Sequence, residues 1–216
     1  MSNVRPHKMT YDAQDEARDA MYEAMSEELY PDHKIQAIAE FTGERLQSYY
    51  VAHPDVMRPA VDANREGKRL QENGHSAAAV VFFVTSIELL LKATLLKPVV
   101  HGLVHSEGLA EIIVQQALGQ SGFDRYSKLL AKLFDELVHL DIGTIRRTGA
   151  PKPLLSECTD QQTLRNAIIH QGASATLGQA EFAKQVVAGV FDLVVCPLLA
   201  ELRLEVVEGG QIKSAA

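Results

Sequence analysis

SAAAVVFFVTSIELLLKATLL, residues 76–96, is the most apolar stretch of the chain, and its reading decides the fold class. It is long enough to suggest a membrane span. Glu88 and Lys92 argue against one, because each would cost about 3 kcal/mol at mid-bilayer. A helix apolar nearly all round is instead the central helix of a soluble bundle. Ser76 is read as its N-cap and Pro98 as its stop. Glu88 needs a partner if it is buried. Lys92, four residues on, is the local candidate and Arg165 the distant one, and a solvated stripe carrying Glu88 and Lys92 is the third reading.

Upstream, Gly74 closes a helix from about Pro59 to Asn73, with Val61, Ala63 and Leu70 inward. Before that, Ile35, Ile38, Ala39, Thr42, Leu46 and Tyr49 form an amphipathic face over His33–Ala52, ended by Pro54. Pro31-Asp32 is read as a break that separates this helix from an acidic one over residues 11–30. That acidic segment, with Tyr11, Ala17, Met21, Ala24 and Met25 as a weak stripe, is either a peripheral helix or a solvated tail.

Downstream, His101 and His105 stand four apart, a metal-ligand spacing on a helix. Pro98 and Gly102 make a helix doubtful there and no third ligand is evident, so no metal is assigned. Helices are expected over Glu107–Leu118 and Phe123–Leu140. The latter would turn Tyr126, Leu129, Leu130, Leu133, Phe134 and Leu137 inward. Gly143, Gly149, Pro151 and Pro153 mark a loop over residues 141–153. Arg146, Arg147 and Lys152 make it the most basic loop of the chain, a candidate contact for RNA phosphates or an ordinary solvated loop.

A helix over Leu154–His170 follows, with Leu155, Cys158, Leu164 and Ile168 on one face and Gly172 as a left-handed terminator. It ends in Arg165-Asn166-Ala167-Ile168-Ile169-His170. Arg165 and His170 lie about 140° apart around the axis, so they share no stripe. They can reach one groove from its two edges, more easily if the final turn is loosened. Arginine is a permanent cation suited to phosphate, and histidine moves protons near neutral pH. Together they suit phosphodiester cleavage without a metal. The plainer reading is a helix end with a histidine at the negative dipole terminus and a surface arginine. A last apolar helix spans Gly178 to about Leu204 and is kinked or split at Pro197. Residues 206–216 are read as a frayed tail.

Composition sets outer limits. The chain has 216 residues, no tryptophan and 46% hydrophobic residues, enough for one sizeable core. Its net charge of −7 excludes a protein that coats nucleic acid through bulk charge, so any such contact is local. Cys158 and Cys196 fall in apolar helical stretches and read as thiols of a reducing, cytoplasmic compartment. Met1–Thr10 has no apolar core of a secretory signal. There is no Gly-rich phosphate loop, no Ser-His-Asp order and no internal repeat.

The phrase RNAIIHQG, Arg165 to Gly172, resembles the HEPN (higher eukaryotes and prokaryotes nucleotide-binding) family. Its members carry an Arg, four to six intervening residues and a His, often with a polar residue after the Arg, here Asn166. The helix pair around Gly74 is a second similarity. The resemblance covers roughly Asp55 to Glu205. The helices before Asp55 and the long insert ahead of the motif helix depart from it. It implies an all-α antiparallel bundle with extra N-terminal helices, divided as residues 1–54, 55–205 and a tail 206–216.

For function it implies a metal-independent endoribonuclease that needs no cofactor. It works as a homodimer on an RNA substrate, with no membrane. In that family reading, Arg165 and His170 are catalytic, Asn166 binds substrate or orients His170, and Glu88 supports Arg165. Many relatives act as toxins or in antiviral and stress defence, often with a neutralising partner such as a nucleotidyltransferase. Others have lost catalysis and serve as binding or scaffold modules, which is the alternative for this chain.

Overall fold

The computed structural model describes residues 13–104, 106–118, 130, 131, 134 and 141–215. The chain divides into two compact units, Met1–Phe41 and Thr42–Ala216. In the first, Met21, Ala24 and Met25 of the weak stripe are exposed, as is Tyr22 beside them. Helix α1 runs Ala13–Ala52, so the break expected at Pro31 is absent. Proline's fixed φ is compatible with a helix, although its missing N–H leaves one carbonyl unbonded. The unit boundary also falls earlier than residue 54. Leu46 and Tyr50 are fully buried in the second unit's core, which makes the last turns of α1 part of that unit.

The second unit is a helical bundle. Helix α2 (Arg58–Glu72) and α3 (Ser76–Leu89) are joined by Gly74, whose φ of +80° is the left-handed turn expected there. The two helices approach closely. A Cβ on Gly67 would lie 2.7 Å from the Phe83 ring, and the Ser86 hydroxyl donates to the Ala60 carbonyl at 2.8 Å. Ser76 does not cap α3: His75 holds that position and makes no side-chain cap bond.

Pro98 does not end the long apolar helix. The backbone widens into a π-helical segment over Leu90–Leu96 and continues as α4 (Lys97–Leu103). The physical reason lies in the missing proline N–H. The Lys97 N–H reaches back five residues to Lys92, and the Thr94 carbonyl that residue 98 cannot serve accepts instead from the buried Tyr50 hydroxyl at 2.5 Å. Gly102 fits this helix because a Cβ there would meet the Leu46 side chain at 2.7 Å.

Helix α5 (Glu107–Leu118) follows as expected. Most of the helix expected over Phe123–Leu140 lies outside the described residues. Within it Leu130, Ala131 and Phe134 are helical, and Leu130 and Phe134 are buried as read. The loop over residues 141–153 is a loop, anchored by the fully buried Ile142.

Helix α6 (Leu154–Gln171) carries the motif, and α7 (Leu177–Val190) opens on a capping box between Thr176 and Gln179. A second π-helical segment, Phe191–Val195, precedes α8 (Cys196–Glu201), again with proline in its first turn. Helix α3 lies at the centre, packed on α2, α6 and α7. Phe83, Val84 and Ile87 meet Val186, Val187 and Val190 in one core. Each such side chain contributes about 1.5–3 kcal/mol on full burial.

The tail is not frayed. Strands β1 (Leu204–Val207) and β2 (Gln211–Ser214) form an antiparallel hairpin, with Val206 opposite Ile212. Gly209 and Gly210, both near φ +80°, make its turn. Leu204 and Ile212 are buried, and the Ile212 N–H donates to the Pro54 carbonyl at 2.9 Å. Among the described residues this two-stranded sheet is the sole departure from helix and loop.

Two stretches, Ser76–Gly102 and Leu177–Glu201, are long and apolar enough to cross a membrane. Much of each is buried inside the fold, as core helices are.

Candidate functional site

Helix α6 is held in place by one apolar face along its length. Leu154 and Cys158 are buried, and Leu155, Leu164 and Ile168 pack against the core, the face read from the sequence. Burial pushes the Cys158 thiol far above its usual range, with the neighbouring Glu157 carboxylate adding to the effect. The helix terminates at Gly172 with φ +67°. The N–H groups of Gly172 and Ala173 both turn back to the Ala167 carbonyl, five and six residues behind. Such long closures are the common way a helix ends on a left-handed glycine, and His170 lies in the last α-helical turn.

The motif side chains differ in environment. Arg165 is half-buried, and its Nη1 donates to Asn166 Oδ1 at 3.0 Å. Its Nε is buried with no hydrogen-bond partner among the described residues. Asn166 is exposed. His170 is exposed and makes no side-chain hydrogen bond or ion pair to the described residues. An inward arginine and an outward histidine agree with the angular offset between positions 165 and 170. The arrangement presents one anchored cation and one titratable ring at the same end of one helix.

Glu88 does not bond Arg165. Its Oε1 accepts from Gln162 Nε2 at 2.9 Å, one turn before Arg165 on α6. The carboxylate therefore ties α3 to α6 and acts on the motif only through the helix it holds.

The basic loop is largely committed within the fold. Arg147 Nε and Nη2 donate to both oxygens of Glu157, at 2.7 and 3.0 Å. The Glu157 side chain is 3% exposed and that of Arg147 17%. The guanidinium also lies 5.0 Å from the Phe182 ring centroid. Arg147 is thus a buried counter-ion, not an open phosphate contact. Arg146 donates to the Pro151 carbonyl and Lys152 pairs with Asp160 at 2.7 Å, both at the surface where such partners exchange with ligands easily.

His101 lies on α4, while its expected companion His105 is outside the described residues. Among the described residues no group of three or more His, Cys, Asp or Glu side chains could hold a metal ion.

One site was missed from the sequence. A cleft of about 1030 Å³ opens between the end of α1, the π-helical segment, α4 and α5. Tyr49, His53, Lys97, His101 and Glu111 line it, and none of the motif residues does. The Tyr49 ring stands 4.5 Å from the His53 ring and 5.1 Å from that of His101. The only signal for it was Tyr49 and His53 at helical i, i+4 spacing. Their link to His101 requires α4 to continue past Pro98.

No family model, no curated protein and no solved structure matches this chain.

Proposed function

We propose that this chain is a metal-independent endoribonuclease acting through Arg165, Asn166 and His170, as the resemblance of its motif to HEPN proteins implies. The observation that carries the reading is the exposed His170 imidazole, free of internal partners among the described residues, in the last turn of the helix that anchors Arg165. The RNA 2′-hydroxyl attacks the adjacent phosphorus. His170 accepts the proton from that hydroxyl or returns one to the leaving 5′-oxygen. Arg165 binds the phosphate and stabilises the charge that builds on its oxygens. Asn166, already bonded to Arg165, keeps the guanidinium oriented.

The working form is a homodimer that brings two such motifs into one cleft. Exposed Ile169 and Leu177, on either side of the helix end, supply apolar surface for a two-fold contact. Arg146 and Lys152 serve as outer RNA contacts that position the substrate, with Arg147 withdrawn from that role. The setting is a cytoplasmic toxin, defence or stress response, with a neutralising protein such as a nucleotidyltransferase as its partner. The test is incubation of purified protein with total cellular RNA in EDTA. The reading requires fragments ending in a 2′,3′-cyclic phosphate. Intact RNA at high protein concentration would defeat it.

The second reading is a catalytically inactive helical module that binds without cleaving. The acidic net charge and the internal commitment of Arg147 favour it. Saturable RNA or protein binding with no cleavage would distinguish it.

A further inference from the structure

We propose that the cleft beside Tyr49 is a second, separate ligand site that takes a small anion carried on a flat ring. The inference stands independently of the motif helix and of any activity there. Three observations carry it.

The first is the balance of used and unused polar groups. Of the cleft's two acids, Asp55 is closely paired and Glu111 is met only at longer range. Asp55 pairs with Arg58 at 2.8 Å and accepts from Gln211 at 3.1 Å. Glu111 sits 3.8 Å from Lys97 Nζ and 3.6 Å from His101 Nε2. The donors are not answered to the same degree. Among the described residues Lys97 has only that long contact, and the Ser48 and Tyr49 hydroxyls bond no side chain or backbone. Burial and the nearby Glu111 charge raise the Tyr49 pKa, so its hydroxyl keeps its proton as a donor. A wall rich in donors, with Asp55 already paired, suits an anion such as phosphate or carboxylate that takes the place of Glu111 at Lys97.

The second observation is the ring stack. The Tyr49 ring stacks on His101 and makes a tilted contact with His53, and His53 is exposed and lines the cleft. Flat rings stack there at little conformational cost. The third is volume and wall. About 1030 Å³ lies at the upper end of small-molecule sites, and Pro54, Val56 and Ala93 give it apolar surface.

The experiment is calorimetric titration of the full chain with phenyl phosphate, benzoate, inorganic phosphate and benzylamine, backed by amide NMR shifts to locate binding. Phenyl phosphate or benzoate should bind saturably at millimolar affinity or better. Whichever binds more tightly identifies the anion. Lys97→Met should weaken that binding at least tenfold and His53→Ala several-fold. Glu111→Gln, which frees Lys97, should tighten it. No binding by either ring-bearing anion overturns the proposal. So does equal affinity in Lys97→Met, benzylamine binding as well as benzoate, inorganic phosphate binding as well as phenyl phosphate, or shifts confined to α6.

Discussion

Replacing Arg147 by alanine separates a structural cation from an RNA contact. The guanidinium makes two hydrogen bonds to a carboxylate whose side chain is 3% exposed. It also packs against Gly189 and Phe182. Removing it leaves Glu157 buried and charged without a counter-ion, which costs about 3–5 kcal/mol. Because Arg147 itself keeps some exposure, about 3 kcal/mol is the expected loss. At roughly 2–4 °C per kcal/mol for a chain of this size, the melting temperature should fall by about 6–12 °C. The assay is thermal and urea unfolding followed by far-UV circular dichroism. Arg147→Met combined with Glu157→Leu should recover most of the stability, since an apolar pair of similar volume is often neutral in place of a buried ion pair. Arg146→Ala, which loses one exposed bond, should stay within about 0.5 kcal/mol of the wild type. An Arg147→Ala protein with an unchanged midpoint would refute the reasoning and return Arg147 to the list of available phosphate contacts.

Three further outcomes follow from other parts of the fold. Gly67→Ala should destabilise by about 1–2 kcal/mol in urea melts, because overpacking against the buried Phe83 ring outweighs the gain of about 1 kcal/mol in helix propensity. Tyr50→Phe should cost about 1–3 kcal/mol and speed amide exchange across Leu90–Leu96, because it orphans the Thr94 carbonyl. Under native conditions a disulfide reagent should modify the partly exposed Cys196 and leave Cys158 untouched until the protein unfolds, since burial raises and hides that thiol.

Apolar periodicity made most helices legible. The pair around Gly74, the motif helix ending at Gly172 and the apolar helix after it all lie where the spacing put them. Both glycines hold the positive φ that their role as helix stops requires. Prolines were the main source of error. Pro31 and Pro98 sit inside helical backbone, at Pro98 by a switch to π-helical spacing that no local pattern announces, whereas the interruption expected at Pro197 is present as the π-helical segment Phe191–Val195. The C-terminal hairpin did carry a signal. Gly209-Gly210 between Val206 and Ile212 is a hairpin turn flanked by alternating residues. The motif was legible because its residues are adjacent in sequence. Their partners were not: nothing near Glu88 points to Gln162, and nothing near Arg147 points to Glu157. Those pairings, like the Tyr49 cleft, exist only once distant helices are packed.

The most direct test of the central claim compares wild type with His170→Ala on one RNA, with EDTA present and the folded state of both checked by their melting curves. His170 is exposed, so its loss should leave stability within about 0.5 kcal/mol. General acid–base catalysis contributes about 10²–10⁴-fold, so cleavage by the variant should fall by at least that much. Equal cleavage by the two proteins would contradict the account and remove Arg165, Asn166 and His170 as its active site.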